Sequence, residues 1–474
     1  MACAILACAI LAGAILACVT LDGSVAWNAG EGDNPYPRIG PRHYIGGVSR
    51  RQAATCRIVQ PVTTRSSSLL RFFENRNLGL LWFGQTVSMA GDSIYAKALL
   101  WLMLDLTGSS GITGLVALSS YLPTLLVGVW AGVVVDRMDR RRLMMAADAA
   151  RAALVVLIPV LYSFGWLGPW GLFGITFLVA TGAAFFNPAR DALVPMLVPD
   201  RQRLLKANAI IQSSWMFALF LGPGAALALL HWFHVRTAHL FYLDAAGYGV
   251  SMACIWAILV PRTHHEVLAK HLPIRHDLVE GLKLAAGDRR VRGLLLITAA
   301  DNLFIMGPAG VGTVVFVRNV LNENINSLML IEGCYAVGMI AGTMLLPLWQ
   351  RRFNYGRILL IGMMLDGLTF VPLLLVKTLW GTALTIIIHS LAIPLLIVAR
   401  PSLVQQIVPQ RMQGRIFSMI GVTVIGFTAL STGLTGVVAE VVPMPTVFGV
   451  IGLGAALCGV WGWSITELRE AGER

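Results

Sequence analysis

Twelve apolar stretches, each long enough to cross the hydrocarbon core of a bilayer, follow one another between Leu78 and about residue 464. No other feature constrains the fold as strongly. In lipid every backbone N–H and C=O must find its partner within the protein, so only helices and closed barrels can span. The stretches run to about 20 residues, roughly twice what a spanning strand needs. An all-α membrane protein is therefore expected. The apolar segments fall at 78–105, 110–135, 143–164, 168–187, 206–231 and 238–260, then at 293–317, 327–348, 356–377, 379–399, 415–438 and 444–464. Charge is correspondingly scarce: 13% of the 474 residues are charged, about half the usual share of a soluble domain.

Composition shifts divide the chain into five parts. Residues 1–77 form an N-terminal extension, which begins with the low-complexity run ACAIL, ACAIL, AGAIL, ACVTL and continues into a segment rich in arginine. Its period of five matches neither helix nor strand faces, and an accessory role is expected. Residues 78–260 and 293–464 are two six-helix halves. Between them lies a basic linker, 261–292, and a short tail follows at 465–474.

The net charge of +12 is distributed by topology. Alternate loops carry fourteen basic residues, from the cluster Arg137, Arg140, Arg141 and Arg142 to Arg400, Arg411 and Arg415, whereas the opposite loops carry three: Arg236, Arg318 and Lys377. Cytosolic loops are enriched in lysine and arginine, so both termini of the twelve-helix core and the linker are expected in the cytosol. Basic residues that flank apolar spans in this way speak for a lipid bilayer as the partner and against nucleic acid.

The halves repeat each other at an offset of about 210 residues. Gly132 matches Gly342, Arg141 and Arg142 match Arg351 and Arg352, Arg190 matches Arg400, and Val198-Pro199 matches Val408-Pro409. In the first helix of each half, Ala90-Gly91-Asp92-Ser93 aligns with Ala299-Ala300-Asp301-Asn302. Asp92 and Asp301 thus occupy equivalent places well inside their spans. A carboxylate at such depth costs about 2.5–3.5 kcal/mol on insertion scales, so each is expected to face the bundle interior. Two roles suit them: binding a proton or a cationic substrate, or capping polar contacts between helices. Lys97 is a candidate partner for Asp92. Asp148 and Arg151, three residues apart on one helix face, read as an internal ion pair. Asp244 and Asp366 receive no assignment.

Three further features concern helix geometry. The run Asn187-Pro188-Ala189-Arg190, with Pro195 beyond it, is expected to end or bend the fourth span, with Arg190 at a gate or as a topology anchor. Gly222-Pro223-Gly224 suits a kinked fifth span in close contact with a neighbour. The charged run from Gly132 to Arg142, GVVVDRMDRRR, must lie outside the hydrocarbon and forms a loop between the second and third spans.

Enzyme signatures do not emerge. The chain contains neither a G-x-x-x-x-G-K phosphate loop nor a G-x-S-x-G elbow. His264, His265 and His271 lie in the linker without the second histidine of an H-E-x-x-H zinc site, and a solvated loop explains them. Seven cysteines without a C-x-x-C pair define no disulfide or metal framework.

Four stretches resemble the major facilitator superfamily, and in particular its enterobactin-exporter and macrolide-efflux branch. They are FFENRNLGLLWFGQTVSMAGDSIY, GVVVDRMDRRRLMMAADAARAAL, NPARDALVPMLVPDRQRLLKANA and VPQRMQGRIFS. The resemblance covers nearly everything after residue 68. It implies the major facilitator fold, with two pseudo-symmetric six-helix halves. It also implies that the loop is a gating element: Gly132 would be the close-packing glycine, Asp136 the signature aspartate, and Arg137, Arg140 and Arg141 its basic partners. Asp139 stands where the family's loop motif has glycine, and Leu346 stands where the second half would repeat the aspartate. The charge network is therefore expected on one side only.

The resulting expectation is a monomeric secondary transporter in the plasma membrane. It would use the proton gradient rather than a cofactor or metal, and would export a small amphipathic molecule such as a drug, macrolide or siderophore by alternating access. An importer of the same fold and a non-transporting receptor or scaffold are the alternatives.

Overall fold

The computed structural model describes residues 75–198, 201–233, 235–259 and 287–472. Most of the N-terminal extension and of the 261–292 linker, with its histidines, lies outside the described residues, as does Pro199.

The described chain is helical from end to end. In the first half the helices are α1 (Arg76–Thr107), α2 (Ser110–Ser119), α3 (Leu122–Arg137), α4 (Arg140–Ser163), α5 (Pro169–Leu197), α6 (Arg201–Trp232) and α7 (Leu240–Ala257). In the second half they are α8 (Arg289–Asp301), α9 (Thr313–Asn319), α10 (Ile325–Gln350), α11 (Tyr355–Leu368), α12 (Leu379–Ile407), α13 (Gln410–Val441) and α14 (Met444–Ser464), followed by the short α15 (Thr466–Arg469). Eleven stretches among the described residues are long and apolar enough to cross a membrane, and α2 and α3 together make one of them. The 32-residue α1, interrupted by Asp92, Lys97 and Asp105, is a twelfth long helix.

Side chains of the preceding turn begin many of these helices. Ser109 accepts from the Ile112 amide, Asp139 from Arg142, Asn354 from Arg357, and Thr378 from Gly381, each satisfying an amide that the first turn leaves without a partner.

Prolines do not stop the helices as the sequence led us to expect. The fourth span does not end near Asn187: α5 runs through Pro188 and Pro195 to Leu197. Each proline removes one ladder hydrogen bond. Packing offsets the loss, since Phe186, Ala189, Leu193 and Val194 are all within 2% of complete burial. The equivalent α12 likewise continues through Pro394 and Pro401. At 29 residues each, these helices extend about 44 Å, well past a hydrocarbon core of about 30 Å.

Small residues bring the helices together, as expected where burial in lipid supplies no hydrophobic drive between them. α1 lies against α7 and α6, and α4 against α7 and α5. In the second half α12 is flanked by α10 and α11, and α14 packs on α11. Gly91 on α1 is so close to α7 that an added Cβ would lie 2.8 Å from the Asp244 Cα. The outward faces are apolar and exposed, for example at Leu126, Trp130, Leu375 and Val441, as befits contact with acyl chains. Exposed Phe164, Trp166, Trp170, Trp232, Phe233 and Trp380 cluster at helix ends remote from the 137–142 loop, where interfacial aromatics belong.

The two halves meet through α2 with α13 and α6 with α10. Their polar ties are Asp105 with Arg318 at 2.9 Å, Glu440 with the Ser109 hydroxyl at 2.5 Å and the Gly111 amide at 2.7 Å, and Lys97 with Glu332 at 2.6 Å. The first two sites lie at the end of the bundle opposite the arginine-rich loops.

One irregularity interrupts the second half. Between α8 and α9 the chain forms two π-helical segments, Asn302–Met306 and Pro308–Gly312, in what composition presented as a plain apolar span. Such turns occur frequently at functional sites.

Candidate functional site: a charged cluster in each half

Asp92 sits half-way along α1, sixteen residues from Arg76 and fifteen from Thr107. Its partner is Arg151 on α4: the Arg151 Nη2 donates to Asp92 Oδ1 at 2.8 Å. Lys97, the partner suggested by sequence proximity, belongs instead to Glu332 in the other half. Five residues of helix turn a side chain through well over one full turn, so Lys97 and Asp92 do not share a face.

Arg151 is the centre of the first cluster. Its Nη1 lies 3.6 Å from Asp148 Oδ1 one turn earlier, the internal pair read from sequence, while its stronger contact is with Asp92. Its guanidinium carbon stands 4.1 Å from the centroid of the Tyr248 ring and 5.9 Å from that of Phe186, both favourable cation–π positions. Gly182 on α5 makes room for the aliphatic stem, since a Cβ there would fall 2.7 Å from Arg151 Cγ. The Tyr248 hydroxyl donates to the same Asp92 oxygen. Asp92 nevertheless keeps 38% of its side-chain surface accessible, whereas Asp148 has none and Arg151 only 7%. The cluster thus presents one reachable carboxylate backed by one buried cation.

α6 closes over this position. A Cβ on Gly222 would overlap the Ser93 hydroxyl and lie 2.7 Å from the Ala90 carbonyl oxygen, so only glycine allows α6 to cross α1 beside Asp92. Gly222 and Pro223 are both buried there.

The second half holds a different set. Asp301 accepts from Arg400 Nη2 at 2.9 Å. Asp366 on α11 lies 3.5 Å from His389 Nδ1, which also meets the Thr369 hydroxyl at 3.0 Å, and the histidine ring packs 4.3 Å from Phe370. Asp301, Asp366 and His389 are each at least 95% buried. The repeat does not extend to the cations. Arg190, equivalent to Arg400, is directed to Asp191 Oδ1 at 2.8 Å and Gln85 Oε1 at 3.0 Å, leaving Asp92 to Arg151. Asn187, one turn before it, is exposed.

The 132–142 run differs from its expected form: α3 continues to Arg137 and α4 starts at Arg140, so the loop itself is only Met138 and Asp139. Gly132 is not a close-packing glycine, because a Cβ there would meet nothing within 4 Å; its counterpart Gly342 is tightly packed, with the Leu391 carbonyl oxygen 2.4 Å from such a Cβ. The loop's missing glycine is also accounted for. Asp139 caps α4, its Oδ1 accepting from the Arg142 amide at 2.8 Å. Asp136 and Arg137 are exposed. Arg140 Nη1 approaches Met196 Sδ at 2.8 Å, and Arg141 donates to the carbonyls of Ile255, at 2.9 Å, and Trp256, so it holds the C-terminal end of α7 where that helix dipole is negative.

Sequence reasoning missed Tyr248, Gly182 and His389. Tyr248 was detectable in principle, four residues after Asp244 and so on the same face of α7. His389 had the signal of an ionisable side chain within a strongly apolar run, IIIHSLAIPL.

Eleven apolar stretches of spanning length and the long α1 among the described residues, with ionic groups turned inward and an apolar exterior, define a multi-pass membrane protein of the major facilitator fold. The chain belongs to the transmembrane secretion effector family, whose pattern matches residues 67–470. Among its relatives, macrolide efflux protein A of Streptococcus pyogenes is 26% identical over 346 residues, spanning 72% of this chain and 84% of that protein. Multidrug efflux pump Tap of Mycobacterium tuberculosis is 30% identical over 234 residues, 47% of this chain and 55% of that protein. In structure the chain is similar to the nucleoside transporter NupG, with a TM-score of 0.65 at 11% identity over 82% of this chain and 99% of that one. A bacterial homologue of the lysosomal transporter Spinster, solved inward-facing and unoccupied, gives a TM-score of 0.61 at 13% identity over 84% and 96%. The protein is a transporter and not an enzyme.

Proposed function

We propose that the protein exports small amphipathic molecules, such as drugs, macrolides or siderophores, in exchange for protons. It works as a monomer in the plasma membrane, with the arginine-rich end in the cytosol. The observation that carries the reading is Asp92, a mid-helix carboxylate that stays reachable while paired with the buried Arg151. A cationic or hydrogen-bonding substrate finds an anion there. The efflux names of the relatives support the outward direction.

Alternating access gives the ties between halves their meaning. The Asp105–Arg318 and Glu440 contacts close the end opposite the arginine-rich loops, which corresponds to a cytosol-facing state. Release to the outside requires these contacts to part. Exposed Asp136 and Arg137 at the C-terminal end of α3 then act at the cytosolic end.

The experiment is accumulation of a macrolide in a pump-deficient host. Expression should lower the intracellular level, and a protonophore should restore it. Unchanged accumulation across a panel of drugs and siderophores would remove the export reading.

A further inference from the structure

Asp244 has no part in the scheme above, yet it lies at its centre. It is fully buried on α7, one turn before Tyr248, and neither of its carboxyl oxygens meets a hydrogen-bond donor. It packs against the backbone of α1 beside Asp92, since a Cβ on Gly91 would lie 2.6 Å from its Oδ1.

The donors nearby are already committed. A phenol has one proton, and Tyr248 gives it to Asp92. The guanidinium of Arg151 directs Nη2 to Asp92 and Nη1 towards Asp148. Three carboxyl groups therefore surround one cation, and full ionisation leaves two negative charges in excess. Asp92 is partly accessible and doubly hydrogen-bonded. Asp148 keeps Arg151 at 3.6 Å. Asp244 has neither water access nor an ion-pair partner, and the Tyr248 hydroxyl beside it is donated to Asp92, so its charge is the one the site supports least.

We propose that Asp244 is the proton-binding site of the first half. It carries the exchanged proton as a neutral acid while Arg151 is held by Asp92. When a cationic substrate takes Asp92, the released guanidinium turns to Asp244, the carboxyl ionises, and its proton leaves. The reverse sequence reloads it.

The groups facing Asp244 are few. α1 presents Asp92 and Tyr95, the latter bonded to Thr176 at 3.1 Å; α4 presents Asp148 and Arg151; Tyr248 stands on α7 itself. His239, in the turn before α7, is stacked on Tyr242.

This inference rests on the proton-coupled reading, and the test separates the two. The purified full chain in liposomes is examined by pH-difference infrared spectroscopy for the carbonyl stretch of a protonated, buried carboxylic acid. The same preparations are assayed for erythromycin flux with and without a pH gradient. Asp244→Asn should remove one component of the band and should let erythromycin run downhill without response to the gradient. Asp92→Asn, which removes the anion that holds Arg151 and so frees it for Asp244, should weaken that component. Asp244→Glu, which restores a carboxyl group, should keep both the band and the coupling and so controls for folding. A band unchanged in Asp244→Asn, or full coupling in that variant, would overturn the assignment. Erythromycin flux in the wild type that ignores the pH gradient would instead overturn proton coupling itself.

Discussion

Gly114 on α2 and Gly436 on α13 touch backbone to backbone across the two halves: a Cβ on Gly114 would stand 2.8 Å from the Gly436 Cα, and one on Gly436 would stand 2.7 Å from the Gly114 Cα. This contact lies beside the Glu440 tie to Ser109 and Gly111, so shape and hydrogen bonding close the same end.

Substitution at this crossing should pry the halves apart. Gly114→Val is expected to cost about 1–3 kcal/mol through overpacking and to impair transport. Gly433→Ala, on α13 one turn before Gly436 but with its nearest neighbour 3.9 Å away, should be tolerated. Thermal unfolding in detergent and macrolide flux measured on both variants check the difference; equal behaviour would count against the crossing.

The Lys97–Glu332 pair, 2.6 Å long with 18% and 16% of the side chains exposed, joins the halves about two turns inside the end that holds Asp105. Reversing one charge places like charges together, and the cost should approach the roughly 3–5 kcal/mol of breaking a buried pair. Lys97→Glu and Glu332→Lys are each expected to reduce the amount of folded protein, and the double exchange should recover most of it. Size-exclusion profiles of the three variants provide the measurement.

Asp139 shows why departure from a family motif need not weaken it. Its side chain caps α4, so Asp139→Ala should lose about 1 kcal/mol, whereas Asp139→Gly should lose only a few tenths. Chemical denaturation of the purified chain resolves the two.

Asp136→Asn removes an exposed charge at the C-terminal end of α3. Folding and insertion should survive, and export should slow. Normal turnover in this variant would reduce the loop to a topology signal.

Much of the fold was readable because lipid makes one demand that shows in composition. Apolar length gave the spans, and the recurrence of Asp92 as Asp301 and of Gly132 as Gly342 gave the two halves. Helix ends were less legible. The extension of α5 to Leu197 depends on the burial of Ala189 and Leu193 against neighbours, a tertiary property that outweighs two prolines. The site was half legible for the same reason. Asp92 was visible as a charge in an apolar run, but its partner Arg151 lies 59 residues away, and nothing local distinguishes it from Lys97. Gly132 and Gly342 show the limit of the repeat, because equal residues at equal places meet open space in one half and a carbonyl in the other.

The π-helical stretch after Asp301 bears on the same limit. From Asp92 to Gly132 is 40 residues, and from Asp301 to Gly342 is 41, so the second half holds one residue more. A π turn closes its hydrogen bonds over five residues instead of four and lengthens a helix without cutting it. Asn302–Met306 and Pro308–Gly312 lie within that interval, where such a turn takes up an inserted residue. Beyond it the faces of the span stay in register with those of its twin. The two halves can thus differ in length by a residue and still present matching helix faces to the interior.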